Sequence, residues 1–501
     1  MNILGISAGF HDASVSLLNR HGEVMFAGHS ERYSKQKNDQ HLNDLIIEDV
    51  FCAGVPDHIA YYERPWVKKI QQLYSGQYEE AFNFSNLTLD QYLRKHLSDT
   101  VHRQRLLQCS RKYMSHHLSH AAAGFQTSPY SKATVVVIDA IGELDTISIW
   151  GAEYVNGCAK YKKLWTQQYP HSIGLFYSAM TQRVGLRPLD EEYILMGMSA
   201  YGNKKLSSKF KHDFITNEWA ITFAENLHLG VDSSYLANSD DMDIAAGAQD
   251  LCENLIYNVM RRAKDFNWSS NLVYMGGVAL NCLANRNLGE YFENIWIMPN
   301  PGDAGSSLGA AALAYGKPIE WTSAYLGHDI GGSYPTNGIL DCLLTDKIVG
   351  VASGRAEFGP RALGNRSLLA DPRGSDIKEQ VNKIKRRQQF RPFAPVILEE
   401  HADMYFDIPA GFTDTSYMQV VGRCRHPDLF PAIVHVDGTS RIQTVPRDSK
   451  SGIRELLEKW YVLTGCPMLL NTSLNIRGEP MVNDRADADR FENLYGVKVC
   501  S

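Results

Sequence analysis

Apolar and polar positions fall into the same three-part pattern at two widely separated places in the chain. Asn2–Ser7 is an apolar run, Ala13–Leu18 alternates, and Glu23–Ser30 follows a His21-Gly22 turn, which predicts three strands in succession. The triplet recurs at Thr134–Asp139, Asp145–Glu153 and Tyr161–Tyr169, with turn residues at Gly142 and Gly157. Helical sequence follows each triplet. The pattern predicts a duplicated α/β unit with a ligand cleft between its halves, although an undivided α/β protein can show two such stretches as well. Asp240–Asp265 has helical periodicity, Leu272–Met275 is a short strand ending in Gly276-Gly277, and Ser306–Tyr315 is an Ala/Gly-rich helix. Lys317–Tyr334 carries Pro and Gly and reads as a linker. A further α/β segment starts at Lys347-Ile348-Val349-Gly350-Val351 and runs to the end.

Length and composition narrow the class. A chain of 501 residues calls for two or three domains, and 44% hydrophobic with 21% charged residues is the balance of a soluble globular protein. No apolar run reaches the roughly 18 residues of a membrane span. Met1-Asn2-Ile3-Leu4-Gly5 opens directly on a strand, so no secretory signal is expected. The nine cysteines are scattered and never spaced C-x-x-C, which fits reduced thiols and a cytoplasmic setting. A net charge of -6 argues against nucleic acid as a partner while leaving room for a local basic pocket.

Ser115-His116-His117-Leu118-Ser119-His120 reads as a helix start. His116 and His120 are then i and i+4, about 6 Å apart on one face, a spacing at which two imidazoles can share a metal. Asp139, closing its strand, and Asp303, in the turn Pro301-Gly302-Asp303-Ala304-Gly305, could complete a site for a divalent ion. A lone HxxxH pair also occurs without metal, Asp303 equally reads as an N-cap, and spacing alone does not bring such distant residues together.

Other turns point to phosphate. Gly5 to Ser14 links the first two strands and carries His11-Asp12, a base and its orienting partner or simply a polar hairpin tip. Met275-Gly276-Gly277-Val278-Ala279-Leu280-Asn281 is strand, double glycine and helix start, where adenosine could lie against the backbone. Further on, Arg355, Arg361 and Arg366 stand among turn formers, and the stretch NKIKRRQQFRPFAP concentrates Lys383, Lys385, Arg386, Arg387 and Arg391. His435, Arg441, Asn471, Ser473 and Arg477 add donors. Such clustering reads either as a solvated basic face or as a pocket for phosphates; the interleaved Pro, Gly and Phe favour the pocket.

Taken in order, these segments resemble the O-carbamoyltransferase family that tailors nodulation factors and antibiotics. The resemblance rests on G-x-H-D-A, H-H-x-x-H-A, P-x-P-G-D-A-G-S-S-x-G-A-A, G-P-R-A-L-G-N-R-S, F-R-P-F-A-P, H-V-D-G-T and N-T-S-x-N-x-R-G-E-P. It implies an α/β chain of two modules. Residues 1–335 would be a duplicated actin/hexokinase-type (ribonuclease H-like) ATPase domain, similar to that of the tRNA threonylcarbamoyl transferase. Residues 346–501 would be a YrdC-like α/β domain. It further implies that carbamoyl phosphate and ATP, the latter with Mg2+, give carbamoyl-adenylate in the C-terminal module at Arg355, Arg361, Lys385, Arg387, His435, Arg441, Asn471, Ser473 and Arg477. Transfer to the hydroxyl of a small-molecule acceptor would follow in the N-terminal module. There His116, His120, Asp139 and Asp303 would hold a divalent metal, iron by resemblance, and Gly142, Gly276, Gly277 and Asn281 would hold the nucleotide. His11 or Asp12 would take the acceptor's proton. A homodimer is the default assembly.

Three departures stand out: Asp139-Ala140 replaces the family's D-G, Ile194 replaces the lysine of E-Y-K-x-M-G, and Gln388 stands where glutamate is common. They leave two alternatives, a kinase on the same ATPase fold and a non-catalytic protein that binds carbamoyl groups or nucleotide.

Overall fold

The structure is a computed structural model that describes residues 1–83 and 87–501. Its two N-terminal sheets repeat one topology. In the first, β1 (Ile3–Ser7) pairs antiparallel with β2 (Ser14–Leu18), which pairs with β3 (Val24–His29), and β4 (His58–Tyr61) and β5 (Ser110–Tyr113) add in parallel on the other side of β1. In the second, β6 (Lys132–Gly142), β7 (Asp145–Val155) and β8 (Cys158–Gln168) form the antiparallel triplet, and β9 (Asn271–Met275) and β10 (Asn294–Trp296) add in parallel beside β6. Both run in the spatial order third, second, first, fourth, fifth. This is the duplicated ribonuclease H-like plan of actin/hexokinase-type ATPases. The predicted triplets appear in place; the strands of the second run longer at their turns than their apolar cores suggest.

Helices His116–Thr127 and Ser306–Tyr315 pack between the sheets. Their small residues make this possible. A Cβ on Gly5 of β1 would lie 1.8 Å from the Ser307 carbonyl oxygen, and one on Gly309 would lie 1.8 Å from that of Ser119. Backbones therefore touch where side chains would ordinarily intervene.

The C-terminal part is a six-stranded mixed sheet, ordered Gln443–Val445, Ala394–Leu398, Met468–Ser473, Arg366–Ala370, Ile348–Ala352 and Val499–Cys500. Its strands are buried on both faces, with helices such as Thr336–Thr345 and Gly452–Thr464 covering it. The expected linker 317–334 is not wholly irregular: Tyr325–Asp329 pairs antiparallel with Arg355–Glu357. The flanking Gly and Pro hide so short a strand in sequence.

Buried arginines tie the parts together through carbonyl oxygens. Arg355 donates to Met25 and Leu326, both at 2.6 Å, and stands outside the cavity described below, so its expected part in phosphate binding gives way to a structural one. Arg32 donates to Gly359 at 2.7 Å and to Glu357, and Arg366 donates to His328 at 3.0 Å and Asn483 at 3.0 Å. Among the described residues, no helix is long and apolar enough to cross a membrane.

His328 and Asp49 add an ion pair at 2.7 Å across this junction. The hydrogen bond to Asp49 raises the His328 pKa against the opposing effect of burial. Burial works to raise Asp49, and its bonds from His328 and Tyr33 outweigh this and lower it. The raised histidine stabilises the fold below its ordinary value of about 6.5, and that contribution is lost as pH rises through the folded-state value. The melting-temperature deficit of His328→Gln should therefore be largest near pH 6 and shrink toward pH 9. A deficit independent of pH would contradict the pairing.

Candidate functional site

The residues of the expected metal centre converge. His116 and His120, one turn apart on their helix, bring their Nε2 atoms to 3.1 Å. Asp303 Oδ1 lies 3.2 and 3.1 Å from these nitrogens, and Asp139 Oδ2 lies 3.4 and 3.2 Å from them. All four ligand atoms fall within 4.8 Å of one another, and all four residues are buried. Asp139 is aimed there by a register shift in β6 between Ile138 and Gly142. Burial disfavours charge on His116, yet Asp303 and Asp139 hold its pKa well above the ordinary value. Two nitrogen and two oxygen donors confined in this way fit a divalent iron, manganese or zinc ion.

The surroundings orient the donors for that purpose. His120 Nδ1 faces the Pro301 carbonyl at 3.1 Å, which fixes the proton there and leaves Nε2 free to ligate. His116 Nδ1 faces Glu63 Oε2 at 3.7 Å, and Lys68 holds the same carboxylate oxygen at 3.2 Å. Sequence reading missed Glu63, which follows β4 in an ordinary Tyr62-Glu63-Arg64 and belongs to no motif. His117 turns away to Ser148 Oγ at 2.8 Å.

Two glycines expected in the nucleotide loops serve packing instead. A Cβ on Gly142 would lie 2.5 Å from the His116 ring and 2.4 Å from that of His117. Gly276 has φ +89°, and a Cβ there would lie 2.1 Å from the Ile138 carbonyl oxygen. Neither lines the cavity. Gly277 does, as does Asn281, which Gln249 fixes through paired amide bonds of 3.0 and 3.1 Å.

One cavity of about 500 Å³ extends from the metal cluster to the basic C-terminal residues. At one end stand His11, Asp12, Asp139 and Asp303; at the other stand Arg361, Lys385, Arg387, His435, Arg441, Asn471, Ser473 and Arg477. His11 lies 3.0 Å from Asp12 and 3.3 Å from Asp303. Burial lowers its pKa, and the opposing fields of Asp303, Asp12 and Asp139 prevail, raising it to about 9.

The basic end is crowded with Arg361, Lys385, Arg387, Arg391 and Arg441, which have no carboxylate partner among the described residues. Lys385 Nζ is held by Ser473 and by Asn475 at 2.9 Å, and burial, with Arg387 and Arg391 close by, keeps its pKa well below the lysine range. Burial and Arg441 together lower Arg361 to about 9. Arg387 stacks on Phe393 at 4.1 Å. Arg361 Nε, Arg441 Nε, His435 Nε2 and Asn471 Oδ1 are buried without hydrogen-bond partners among the described residues. The arginine and histidine nitrogens among these, with the mutually repelling cations around them, are the arrangement that an anionic ligand satisfies, whereas the Asn471 oxygen calls for a donor. Arg477 is the exception, paired with the buried Glu191 at 2.8 Å.

The departures are accommodated. Ile194 is 1% exposed in the apolar core, while its neighbours Tyr193 and Met196 face the cavity. Ala140 lies against Gly174, where a Cβ would come 2.9 Å from the Ala140 Cα. The Gln388 Oε1 is buried without a partner, and nothing in the structure explains the substitution.

The Glu63 contact yields a test. Glu63→Gln should weaken divalent-metal binding by about tenfold or more, read as metal content after dialysis against a graded chelator. Retention equal to that of the unaltered protein would contradict the role given to Glu63.

Comparison with known proteins agrees with the geometry over both parts of the chain. The family described as Carbamoyltransferase N-terminus matches residues 2–312, and Carbamoyltransferase C-terminus matches residues 340–499. The uncharacterized protein sll1178 of Synechocystis is 31% identical over 98% of this chain and 94% of its own length. Nodulation protein NolNO of Sinorhizobium fredii is 30% identical over 97% of this chain and 77% of its own, and nodulation protein NolO of Bradyrhizobium diazoefficiens is 32% identical over 75% of each. With matches that extend over both the His/Asp cluster and the basic pocket, the chain belongs to the carbamoyltransferase family.

Proposed function

We propose that this carbamoyltransferase is ATP-dependent and acts on the hydroxyl of a small molecule, with activation and transfer at opposite ends of one cavity. The observation that carries the reading is the continuity of that cavity between an unpaired cation cluster and a His/Asp cluster. Residues 346–501 form the activating module and residues 1–335 the transferring one, similar to a YrdC-like domain and an actin/hexokinase-type ATPase respectively.

Two phosphorylated substrates repel one another, and Arg361, Lys385, Arg387 and Arg441 supply the charge that holds carbamoyl phosphate beside ATP with its Mg2+. Water takes the phosphoryl group of carbamoyl phosphate as inorganic phosphate. The carbamate oxygen freed by that cleavage attacks the ATP α-phosphorus, and pyrophosphate leaves. The resulting carbamoyl-adenylate reaches the other end along the same cavity, a short path that limits its hydrolysis. Gly277 and Asn281 hold its adenosine. The acceptor oxygen then bonds to the carbamoyl carbon, the bond from that carbon to the AMP phosphate oxygen breaks, and the acceptor proton passes to His11 or Asp12.

His116, His120, Asp139 and Asp303 would hold a divalent ion, iron by resemblance, which when bound polarises the carbamoyl oxygen. A cation held there would offset the charge of Asp139 and Asp303, which favours the protonated His11 ring, and would leave that ring freer to accept a proton.

The reading predicts pyrophosphate and carbamoyl-adenylate when the protein is given ATP, labelled carbamoyl phosphate and Fe2+ without acceptor. His120→Ala should retain this half-reaction, and Lys385→Ala combined with Arg387→Ala should abolish it. Formation of ADP in place of pyrophosphate would point to a kinase, and absence of either product to a binding protein.

A further inference from the structure

Arg477 differs from the other cations of the basic end in having a carboxylate partner, and that partner comes from another part of the chain. Glu191 lies in loop 187–191 of the N-terminal part, just before helix Glu192–Met198. Its Oε1 accepts from Arg477 Nη2 at 2.8 Å and from Arg477 Nε at 3.3 Å. Both bonds fall on one edge of the guanidinium, and among the described residues no bond to Nη1 accompanies them. The Arg477 backbone N–H donates to the Lys385 carbonyl at 3.0 Å, and both residues line the cavity.

A carboxylate beside an anion pocket calls for a reason, because it repels the ligand. It either stands in for the anion and leaves when the anion binds, or it is a clamp that stays. The surroundings favour the clamp. Glu191 is 3% exposed and does not line the cavity. Its Oε2 accepts from the Arg187 N–H at 3.1 Å, and its own N–H donates to the Arg187 carbonyl at 2.9 Å. Burial works to raise the Glu191 pKa, and the bonds from Arg477 and the Arg187 amide outweigh this and lower it. Parting it from Arg477 would leave a buried charge unpaired. The loop is anchored as well. Asp190 pairs with Lys37 at 3.2 Å and with Arg187 at 2.8 Å, and the Leu189 N–H donates to Glu192 at 2.6 Å. Leu189 takes φ +61°, a conformation costly for leucine that persists only where its surroundings fix it.

We propose that Glu191 is a positioning residue of the anion pocket, holding Arg477 by its Nε/Nη2 edge so that Nη1 is presented to a phosphate group. The inference rests on the reading of the basic end as the phosphate site. A free arginine loses rotamer freedom when it binds an anion, whereas one already held loses less and has its remaining donor in place beforehand. A pocket built on the C-terminal part is thereby completed by a loop of the N-terminal part.

The test is binding of inorganic pyrophosphate to the full chain, followed by calorimetry, with each variant's melting temperature taken first to show that it is folded. Glu191→Gln should raise the Kd about tenfold, although it removes a negative charge and by charge alone would lower it. Glu191→Asp keeps the charge and shortens the reach; it should raise the Kd too, and it carries the test if Glu191→Gln does not fold. Arg477→Met should raise the Kd at least as far. Adding Glu191→Gln to Arg477→Met should then change it by no more than about twofold, since the clamp has nothing left to hold. Binding unchanged or tightened by Glu191→Gln would overturn the proposal, as would a full further loss in the Arg477→Met background. Failure of pyrophosphate to bind the unaltered protein would overturn it together with the phosphate reading of the basic end. Binding that shifts as expected in a protein that forms no carbamoyl-adenylate would sink the adenylate reading and leave the clamp standing.

Discussion

The site depends on how closely helix Ser306–Tyr315 approaches its neighbours. It contacts β1 through Gly5 and the histidine helix through its own Gly309, each at distances that leave no room for a Cβ. Ser14 Oγ donates to the Ala304 carbonyl, and Ser16 shares a 2.8 Å bond with Ser307, pinning the turn before the helix. That turn carries Asp303. Any larger residue at these contacts would push the turn away from His116 and His120, and the donor set would open. The small residues of the Ala/Gly-rich helix therefore set the reach of the His/Asp cluster as well as filling the core through Ala310, Ala311 and Ala312.

The cavity joins two environments of opposite sign. One end gathers Asp12, Asp139 and Asp303 around histidines, and the other gathers Arg361, Lys385, Arg387, Arg391 and Arg441 with few acids nearby. Each end alone would be costly to bury, because like charges repel and burial removes their water. A divalent cation at the first and phosphate groups at the second would offset these costs. The proposed intermediate, which carries a phosphate on one side and a carbonyl on the other, would match both.

Much of this was legible in the chain. The two β-triplets announced the duplicated sheets because each strand alternates or runs apolar between clear turns, and the i,i+4 histidines fell on one helix face as their spacing requires. The shared cavity and the convergence of Asp139 and Asp303 were not legible, since sequence spacing carries no information about residues more than 150 positions apart. Glycine was the most misleading residue. Gly142 and Gly276 sit in turn-like sequence suited to a nucleotide, but they are there because the histidine rings and the Ile138 backbone occupy the space of a Cβ. Arg355 misled in the same way, because an arginine that satisfies backbone carbonyls and one that awaits a phosphate look alike in sequence. Glu63 had no motif to announce it.

If both chemistries share one cavity, as proposed, the location of the intermediate shows it most directly. Protein loaded with ATP, labelled carbamoyl phosphate and Fe2+ in the absence of acceptor would be desalted rapidly, and label in the protein and small-molecule fractions compared after acid quench. The account predicts carbamoyl-adenylate retained at about one equivalent per chain and slow to react with added hydroxylamine, as expected of an enclosed species. Carbamoyl-adenylate found mainly in the small-molecule fraction, trapped as fast as in free solution, would contradict it.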